Sequence, residues 1–222
     1  MSRSAERARV RRIVMRLDQA FGPLEPPRAA DPLDELVLTV LSQHTSDLNA
    51  ERAFGDMRGA YPTWKQVVDA PEHSLADVIR HGGLANTKAP RIQAILREVR
   101  DREGDFDLSR LSSMGDEGVR DYLMSLPGVG PKTAAVVMSF SLGRDALPVD
   151  THVHRVVRRL GLVPAKTSAD AADRLLHDLV PDGLRTPLHV GLIALGRRVC
   201  KAQMPQCDGC PLARMCPSRN EV

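Results

Sequence analysis

Nearly every periodic stretch of this sequence places its apolar residues at the spacing of an α-helix. In the segment 88–100, Ile92, Ile95, Leu96 and Val99 follow one another at i, i+3, i+4 and i+7, on one helical face. Alternating apolar and polar stretches, which are typical of half-buried strands, are absent, and Gly and Pro fall between the helical segments. The sequence therefore predicts an all-α protein of about ten helices. The predicted segments are Leu33–Leu41, Asn49–Met57, Thr63–Val68, Ser74–Ile79, Lys88–Arg100, Asp116–Ser125, Lys132–Ser141, Thr151–Leu160, Ser168–Leu179 and Pro187–Val199, after a first helix with the stripe Val10, Ile13, Val14, Leu17 and Phe21.

Charge is distributed unevenly along the chain, although the formal net charge is only +3. Residues 31–147 hold 13 basic and 18 acidic side chains, whereas residues 1–30 and 148–222 together hold 18 basic and 10 acidic ones. The net charges of these two parts are thus −5 and +8. We therefore predict one domain of residues 31–147 and a second, discontinuous domain of residues 1–30 and 148–222 that faces a polyanion. The alternative is that the asymmetry reflects ordinary solvated surface.

The sequence shows no apolar run of about 18 residues, the minimum length for a helix that spans a membrane. The Arg-rich N-terminus continues into an amphipathic stripe and lacks the apolar core of a secretory signal. We therefore expect the first helix of a cytoplasmic protein with no membrane partner. An organelle transit peptide is the alternative interpretation of the same Arg-rich start.

All four cysteines lie within seventeen positions near the C-terminus, in the pattern Cys200-x6-Cys207-x2-Cys210-x5-Cys216. Four thiolates confined to one short segment predict a single metal centre. The gaps are short and unequal, unlike the two separated pairs of a zinc ribbon, and four cysteines are the usual ligands of a [4Fe–4S] cluster. An iron–sulfur cluster is thus favoured, and zinc remains the main alternative. Disulfides fit poorly because nothing indicates secretion.

A glycine-containing turn separates two of the predicted helices, in the sequence Leu126-Pro127-Gly128-Val129-Gly130-Pro131-Lys132-Thr133. The two glycines allow a sharp turn that presents backbone N–H groups outward, and Pro131 is suited to the first position of the next helix. Such a turn, together with the positive end of that helix, can hold one phosphate group. Two glycines alone would fit a plain turn equally well, but their position between amphipathic helices favours the phosphate site.

Three features in this order resemble the endonuclease III family, the iron–sulfur branch of the helix-hairpin-helix DNA glycosylases. They are the turn 126–133, the segment 149–155 with Asp150 eighteen residues after Lys132, and the four cysteines. The resemblance runs from about residue 31 to Cys216. It implies a two-lobed helix-hairpin-helix glycosylase fold, with a six-helix barrel domain and a discontinuous helical iron–sulfur domain.

The resemblance also implies an activity and the residues that carry it. The protein would be a base-excision DNA glycosylase and abasic-site lyase that removes oxidised pyrimidines from duplex DNA. Lys132 would attack C1′ of the damaged nucleotide and form a Schiff base that permits β-elimination, while Asp150 would balance the cationic sugar. The turn Gly128-Val129-Gly130 would hold a DNA phosphate, and Lys201 would lie along DNA. The four cysteines would hold the [4Fe–4S] cluster, in a monomeric bacterial protein associated with the nucleoid.

An enzyme that acts on a base in duplex DNA must move the nucleotide out of the stack and fill the gap. Leu84, in a loop with Gly82 and Gly83, resembles the inserting leucine of the family, although it could instead be a core anchor. The family usually fills the gap with a glutamine in Leu-Ser-x-Gln-x-x-Asp. Here His44 stands at the glutamine position and Gln43 lies one residue earlier, so that either residue could fill the gap. This departure leaves the opposite-base and lesion preference open.

Two other functions remain as alternatives. One is the adenine- or thymine-mismatch branch of the same superfamily, whose adenine enzymes share the turn, the aspartate and the cluster but lack the lysine. The other is a weakly catalytic paralogue that only binds damaged DNA. The presence of both Lys132 and Asp150 favours the glycosylase and lyase.

Overall fold

The computed structural model describes residues 2–26 and 31–220, with Asn220 described for its backbone only. Within these ranges the chain forms eleven α-helices, four short 3-10 turns and no strand, which confirms the predicted all-α class. The helices are α1 Arg3–Phe21, α2 Pro32–Ser42, α3 Asp47–Ala60, α4 Trp64–Asp69, α5 Glu72–Val78, α6 Ala85–Glu103, α7 Asp116–Met124, α8 Pro131–Phe140, α9 Thr151–Arg159, α10 Ala169–Leu179 and α11 Arg185–Arg198. No helix in the described ranges has the length and apolar character needed to cross a bilayer.

Several helices begin at the capping residues that the sequence predicts. The carboxylate of Asp31 accepts hydrogen bonds from the backbone amides of Leu33 and Asp34 at the start of α2. Thr63 and Gln66 form a reciprocal capping box at the start of α4. Both signals span only a few residues, so the local sequence is enough to predict them.

Four helices begin at least two residues earlier than predicted. Helices α3 and α11 begin two residues before the predicted Asn49 and Pro187, at Asp47 and Arg185. The prediction began α5 at Ser74 on its hydroxyl, whereas the helix begins at Glu72 after Pro71, without a side-chain cap. The prediction began α6 at Lys88, whereas the helix begins at Ala85 and continues through Pro90. It starts early because Leu84 adopts a left-handed conformation and its carbonyl accepts the first hydrogen bonds of the helix, from the amides of Thr87 and Lys88.

The chain divides into two compact units. The unit of residues 29–142 contains α2 to α8. Its central helix is α2, which contacts α3, α6 and α8 and buries apolar residues on most of its circumference. The buried residues of α2 are Leu33, Leu36, Val37, Thr39, Val40 and Leu41.

The unit of residues 1–28 and 143–222 contains α1 and α9 to α11. Helix α1 contributes the buried stripe Val10, Ile13 and Leu17 to its core, as its helical spacing predicts. Helix α11 approaches α1 closely at Gly191, where an added Cβ would be 2.9 Å from the Cβ of Leu17. Leu212, in the segment that carries the cysteines, is buried in the same core.

Candidate functional site

The turn between α7 and α8 lies in the unit of residues 29–142. The backbone amide of Leu126 donates to the carbonyl of Leu123, and that of Val129 donates to the carbonyl of Leu126, each across 3.2 Å. These two hydrogen bonds close two consecutive tight turns. Gly128 has a φ of 71°, a left-handed conformation that strongly favours glycine. Gly130 is extended, with a φ of −103°, so its conformation does not itself require glycine. Val129, between them, is buried and anchors the turn.

Lys132 lies in the first turn of α8, directly after Pro131 at the helix start. Gly130 precedes the helix without a side-chain cap, so the first backbone amides of α8 face the turn. Helix α8 packs against α2, where Glu35 is half-buried. Burial raises the pKa of Glu35, while the positive charge of Lys132 acts in the opposite direction. Sequence reasoning missed this acidic neighbour because Glu35 lies in an unremarkable first turn of α2.

The segment after α2 carries the two candidates for the gap-filling residue. The side-chain oxygen of Gln43 accepts a hydrogen bond from Nη1 of Arg91 across 3.0 Å. His44 is exposed and has a φ of 55°, an uncommon conformation for a residue with a side chain. The two side chains therefore differ in their surroundings: the amide of Gln43 is hydrogen-bonded to Arg91, and the imidazole of His44 is exposed to solvent.

Leu84 is also exposed in a left-handed conformation. Its exposed fraction is 58% and its φ is 49°. Among the described residues, His44, Leu84 and Met204 are the non-glycine residues with positive φ. An exposed leucine at a strained backbone position does not fit the alternative of a core anchor, because a core anchor would be buried.

Asp150 lies in the other unit, at the start of α9. Its Oδ1 accepts a hydrogen bond from the backbone amide of Val153 across 2.7 Å, so the residue caps the helix. Asp150 is half-buried. A carboxylate has further acceptor capacity on its two oxygens, and helix capping therefore does not prevent it from contacting a ligand.

The four cysteines are half-buried and line one cavity of the same unit, together with Arg159 and Val199. Burial raises the pKa of the Cys210 thiol, and the three other cysteines act on it in the same direction. Within the described residues, no three His, Cys, Asp or Glu side chains are arranged to hold a metal ion. The donor set, four thiols around one mainly apolar-lined space, is of the type that holds an iron–sulfur cluster.

Two arginines of α9 fix the segment that carries the cysteines. Nε of Arg155 donates to the carbonyl of Cys200 across 3.0 Å. Arg159 donates to the carbonyls of Lys201 and Ala202 at 2.6 and 3.0 Å and to Sγ of Cys200 at 3.3 Å. Lys201 itself is exposed. These two arginines stabilise the segment 200–202 through its backbone carbonyls, and their positions in the sequence alone do not reveal this role.

The chain matches a known protein family over most of its length. Residues 37–182 match the family described as HhH-GPD superfamily base excision DNA repair protein. Endonuclease III of Thermotoga maritima is 36% identical over 189 residues, which cover 85% of this chain and 84% of that protein. Endonuclease III of Bacillus subtilis is 34% identical over 188 residues, with 84% and 81% covered.

Solved structures give the same result. A trapped endonuclease III–DNA covalent intermediate and a non-covalent endonuclease III–DNA complex match with TM-scores of 0.85 and 0.84 at 30% identity. Each match covers 100% of this chain and 98% of the other. A thermostable thymine-DNA glycosylase shares the fold, with a TM-score of 0.79 at 22% identity. The chain therefore belongs to the endonuclease III family of the HhH-GPD superfamily and is a base-excision repair DNA glycosylase.

Proposed function

We propose that this glycosylase removes oxidised pyrimidines from duplex DNA and then cleaves the strand at the resulting abasic site. The observation that carries the proposal is the position of Lys132 in the first turn of α8, directly after the glycine turn. An amine at this position would lie beside any phosphate that the turn holds, close to the sugar of the same nucleotide. The mismatch branch that lacks this lysine has no equivalent nucleophile there.

In the proposed reaction, the amine of Lys132 gives up a proton and attacks C1′, and the damaged base departs with a proton. Opening of the sugar ring converts the carbon–nitrogen bond to a Schiff base. Loss of a proton from C2′ then expels the 3′ phosphate, which is β-elimination. The amine acts as a covalent catalyst, because hydrolysis of the imine returns it unchanged.

The turn Gly128-Val129-Gly130 is proposed to hold the phosphate. The left-handed Gly128 and the amides at the start of α8 favour an anion, because helix N-termini carry partial positive charge. Asp150 is proposed to stabilise the positive charge that develops on the sugar as the base leaves. A fixed carboxylate that is already oriented by the amide of Val153 needs little reorganisation for this role.

Gap filling is proposed for His44 and Leu84. Both side chains are exposed on left-handed residues, and the alternative candidate, Gln43, is engaged by Arg91. Strained backbone that persists in a fold is often associated with function, since the surroundings must enforce it. Gln43 would then stabilise the segment that carries His44, through its hydrogen bond with Arg91.

The proposal also assigns the two domains and the cofactor. Residues 31–147 would form the six-helix barrel domain with the glycine turn, and residues 1–30 and 148–222 the iron–sulfur domain. Cys200, Cys207, Cys210 and Cys216 would hold a [4Fe–4S] cluster that shapes the loop on which Lys201 contacts DNA. The protein would act as a monomer on chromosomal DNA in the nucleoid.

The test is borohydride trapping on duplex DNA with one abasic site. The wild-type protein should give a covalent complex, and Lys132→Ala should give none. Lys65→Ala is the matched control, because Lys65 lies in the same unit, is 76% exposed and forms its ion pair with Asp69, four residues later. A full yield of adduct from folded Lys132→Ala would refute the role of Lys132.

Substrate choice is tested with a panel of duplexes that each carry one lesion. Oxidised pyrimidines should be excised faster than thymine or adenine in mismatches. Preferential excision of a mismatched base would favour the mismatch activity, and binding without excision would favour a weakly catalytic paralogue.

A further inference from the structure

Lys88 is the largest fully buried side chain of the described residues, with 2% of its surface exposed. Lysine is almost never fully buried unless its amine has partners that offset the loss of hydration. Burial lowers the pKa of Lys88, and the positive charge of Arg91 acts in the same direction. An apolar residue would fill this space without that penalty, so the contacts of the amine require an explanation.

The amine joins two separate segments of the unit of residues 29–142. Nζ donates to the carbonyl of Leu41 across 2.6 Å and to the carbonyl of Gly82 across 2.7 Å. Leu41 lies in the last turn of α2, and Gly82 ends the 3-10 turn Arg80–Gly82. Carbonyls at helix C-termini lack amide partners within the helix and attract positive charge. Lys88 therefore satisfies both helix ends with one group.

These two segments carry the residues proposed to enter DNA. His44 follows Leu41 by three residues, and Leu84 follows Gly82 by two. Both have positive φ, which the surrounding structure has to maintain. Gly82 also lies close to α2 and α3, since a Cβ added to it would be 3.7 Å from the carbonyl of Leu41 and 3.3 Å from Cβ of Ala53. Lys88 thus lies where the two segments meet.

We propose that Lys88 is a positioning residue for base extrusion, which holds the segments of His44 and Leu84 together so that both side chains enter DNA as one preformed element. This inference rests on the proposed function, because it assumes that these two residues fill the gap. Lys88 would touch neither the DNA nor the reacting atoms. Its loss should slow the extrusion of the base and leave the chemistry at Lys132 intact.

The test variant is Lys88→Met, which keeps the length of the side chain and removes the amine. The matched control is Gln93→Met, on the same helix. Gln93 is also fully buried, and its amide donates to the carbonyls of Val67 and Ala70 at 2.9 and 2.7 Å, which belong to neither the segment of His44 nor that of Leu84. Both variants lose a buried side-chain donor to backbone carbonyls, so they should lose similar thermal stability.

Two single-turnover assays separate positioning from general damage. The first measures excision of a lesion from duplex DNA, together with the fluorescence of a 2-aminopurine beside it as a signal of extrusion. The second measures cleavage at an abasic site in single-stranded DNA, where no base has to be extruded. Lys88→Met should lose at least tenfold in the first assay and less than threefold in the second, whereas Gln93→Met should lose less than threefold in both.

Equal losses for Lys88→Met in the two assays, or equal behaviour of the two variants, would overturn the inference. If Lys88→Met does not fold, Gly82→Ala is the second test variant. Its Cβ would lie 3.3 Å from Cβ of Ala53, and we expect the backbone at position 82 to shift, together with the carbonyl that Lys88 binds. A selective loss of extrusion in Gly82→Ala would support the inference, and unchanged extrusion would overturn it. Failure of the wild-type protein to cleave abasic sites would instead refute the proposed function.

Discussion

Arg91 donates a hydrogen bond from Nη1 to the side-chain oxygen of Gln43 across 3.0 Å. The same guanidinium lies against the glycine turn, where a Cβ on Gly128 would be only 2.6 Å from its Nε. One side chain on α6 therefore connects the segment after α2 with the turn before α8. The three residues are far apart in sequence, and each belongs to a segment proposed to face DNA or to support one that does.

Replacement of His44 by alanine should weaken base excision more than it weakens cleavage of a ready-made abasic site. A side chain that fills the gap in the DNA speeds the reaction when a base has to leave the stack, and it has less effect when the base is already missing. We expect about a tenfold loss in excision, equivalent to about 1.4 kcal/mol. The measurement is single-turnover kinetics on matched duplexes that contain either the lesion or the abasic site.

Gln43→Ala is the control for the His44 experiment. It removes the partner of Arg91, whose guanidinium also lies against Gly128 of the proposed phosphate-binding turn, so it should weaken both reactions together. Equal losses in both assays for His44→Ala would contradict a wedge role for His44.

Gly128→Ala should destabilise the protein, whereas Gly130→Ala should have a smaller effect. Alanine at 128 would adopt a left-handed conformation, which costs about 1–2 kcal/mol, and would displace Arg91. At Gly130 the φ is −103° and no atom lies within 4 Å of an added Cβ. Thermal unfolding of the two variants measures the difference, which should be several degrees.

A melting temperature that falls equally in the two glycine variants would contradict this prediction. Gly130→Ala is also useful for DNA binding, because it leaves the backbone amide in place. Its affinity for abasic duplex should stay close to that of the wild type.

The protein prepared without oxygen should be brown and contain about four iron atoms per chain. Replacement of Cys207 by serine should abolish most of the iron, because a cluster in this cavity needs four thiolates. Iron content, sulfide content and the visible absorption band measure the outcome. Stoichiometric zinc without iron in the wild-type protein would overturn the assignment of the cluster.

Stability below neutral pH should depend on Glu103. Its two oxygens accept hydrogen bonds from Nε and Nη2 of Arg110 at 2.7 and 2.8 Å, and the Glu103 side chain is 7% exposed. The hydrogen bonds from Arg110 are the largest cause of a pKa for Glu103 that lies below its usual value of 4.5. Since the folded pKa is the lower one, this stabilisation is present above pH 4.5 and is lost as pH falls through the folded value.

Glu103→Gln should therefore reduce the free energy of unfolding by about 1 kcal/mol at pH 7, which is less than is usual for a charged hydrogen bond because Arg110 is half exposed. The difference from wild type should shrink below pH 4.5. Denaturant unfolding at pH 7 and at low pH measures it. Glu98→Gln is the control, since the carboxylate of Glu98, which pairs with Arg102, is 42% exposed. A difference that is the same at both pH values would contradict the prediction.

The sequence by itself determined the features that depend on short stretches of chain. Helical spacing predicted the helices, and the two glycines of residues 126–133 predicted a sharp turn, which the structure forms with Gly128 in a left-handed conformation. Asp31 and Thr63 have side chains typical of helix starts, and they cap α2 and α4. These signals are readable because backbone conformation and hydrogen bonds over three or four residues decide them. The cysteine spacing likewise predicted one shared centre, and the four thiols do line one cavity.

Only the tertiary structure decided which residues hold the candidate site together. By residue type alone, Lys88 and Arg91 would be expected on the solvent-exposed side of α6, because a long charged side chain is seldom buried. In the fold, the carbonyls of Leu41 and Gly82 lie within reach of Lys88, and the amide of Gln43 lies within reach of Arg91. These contacts form between segments distant in the chain, so no local pattern encodes them.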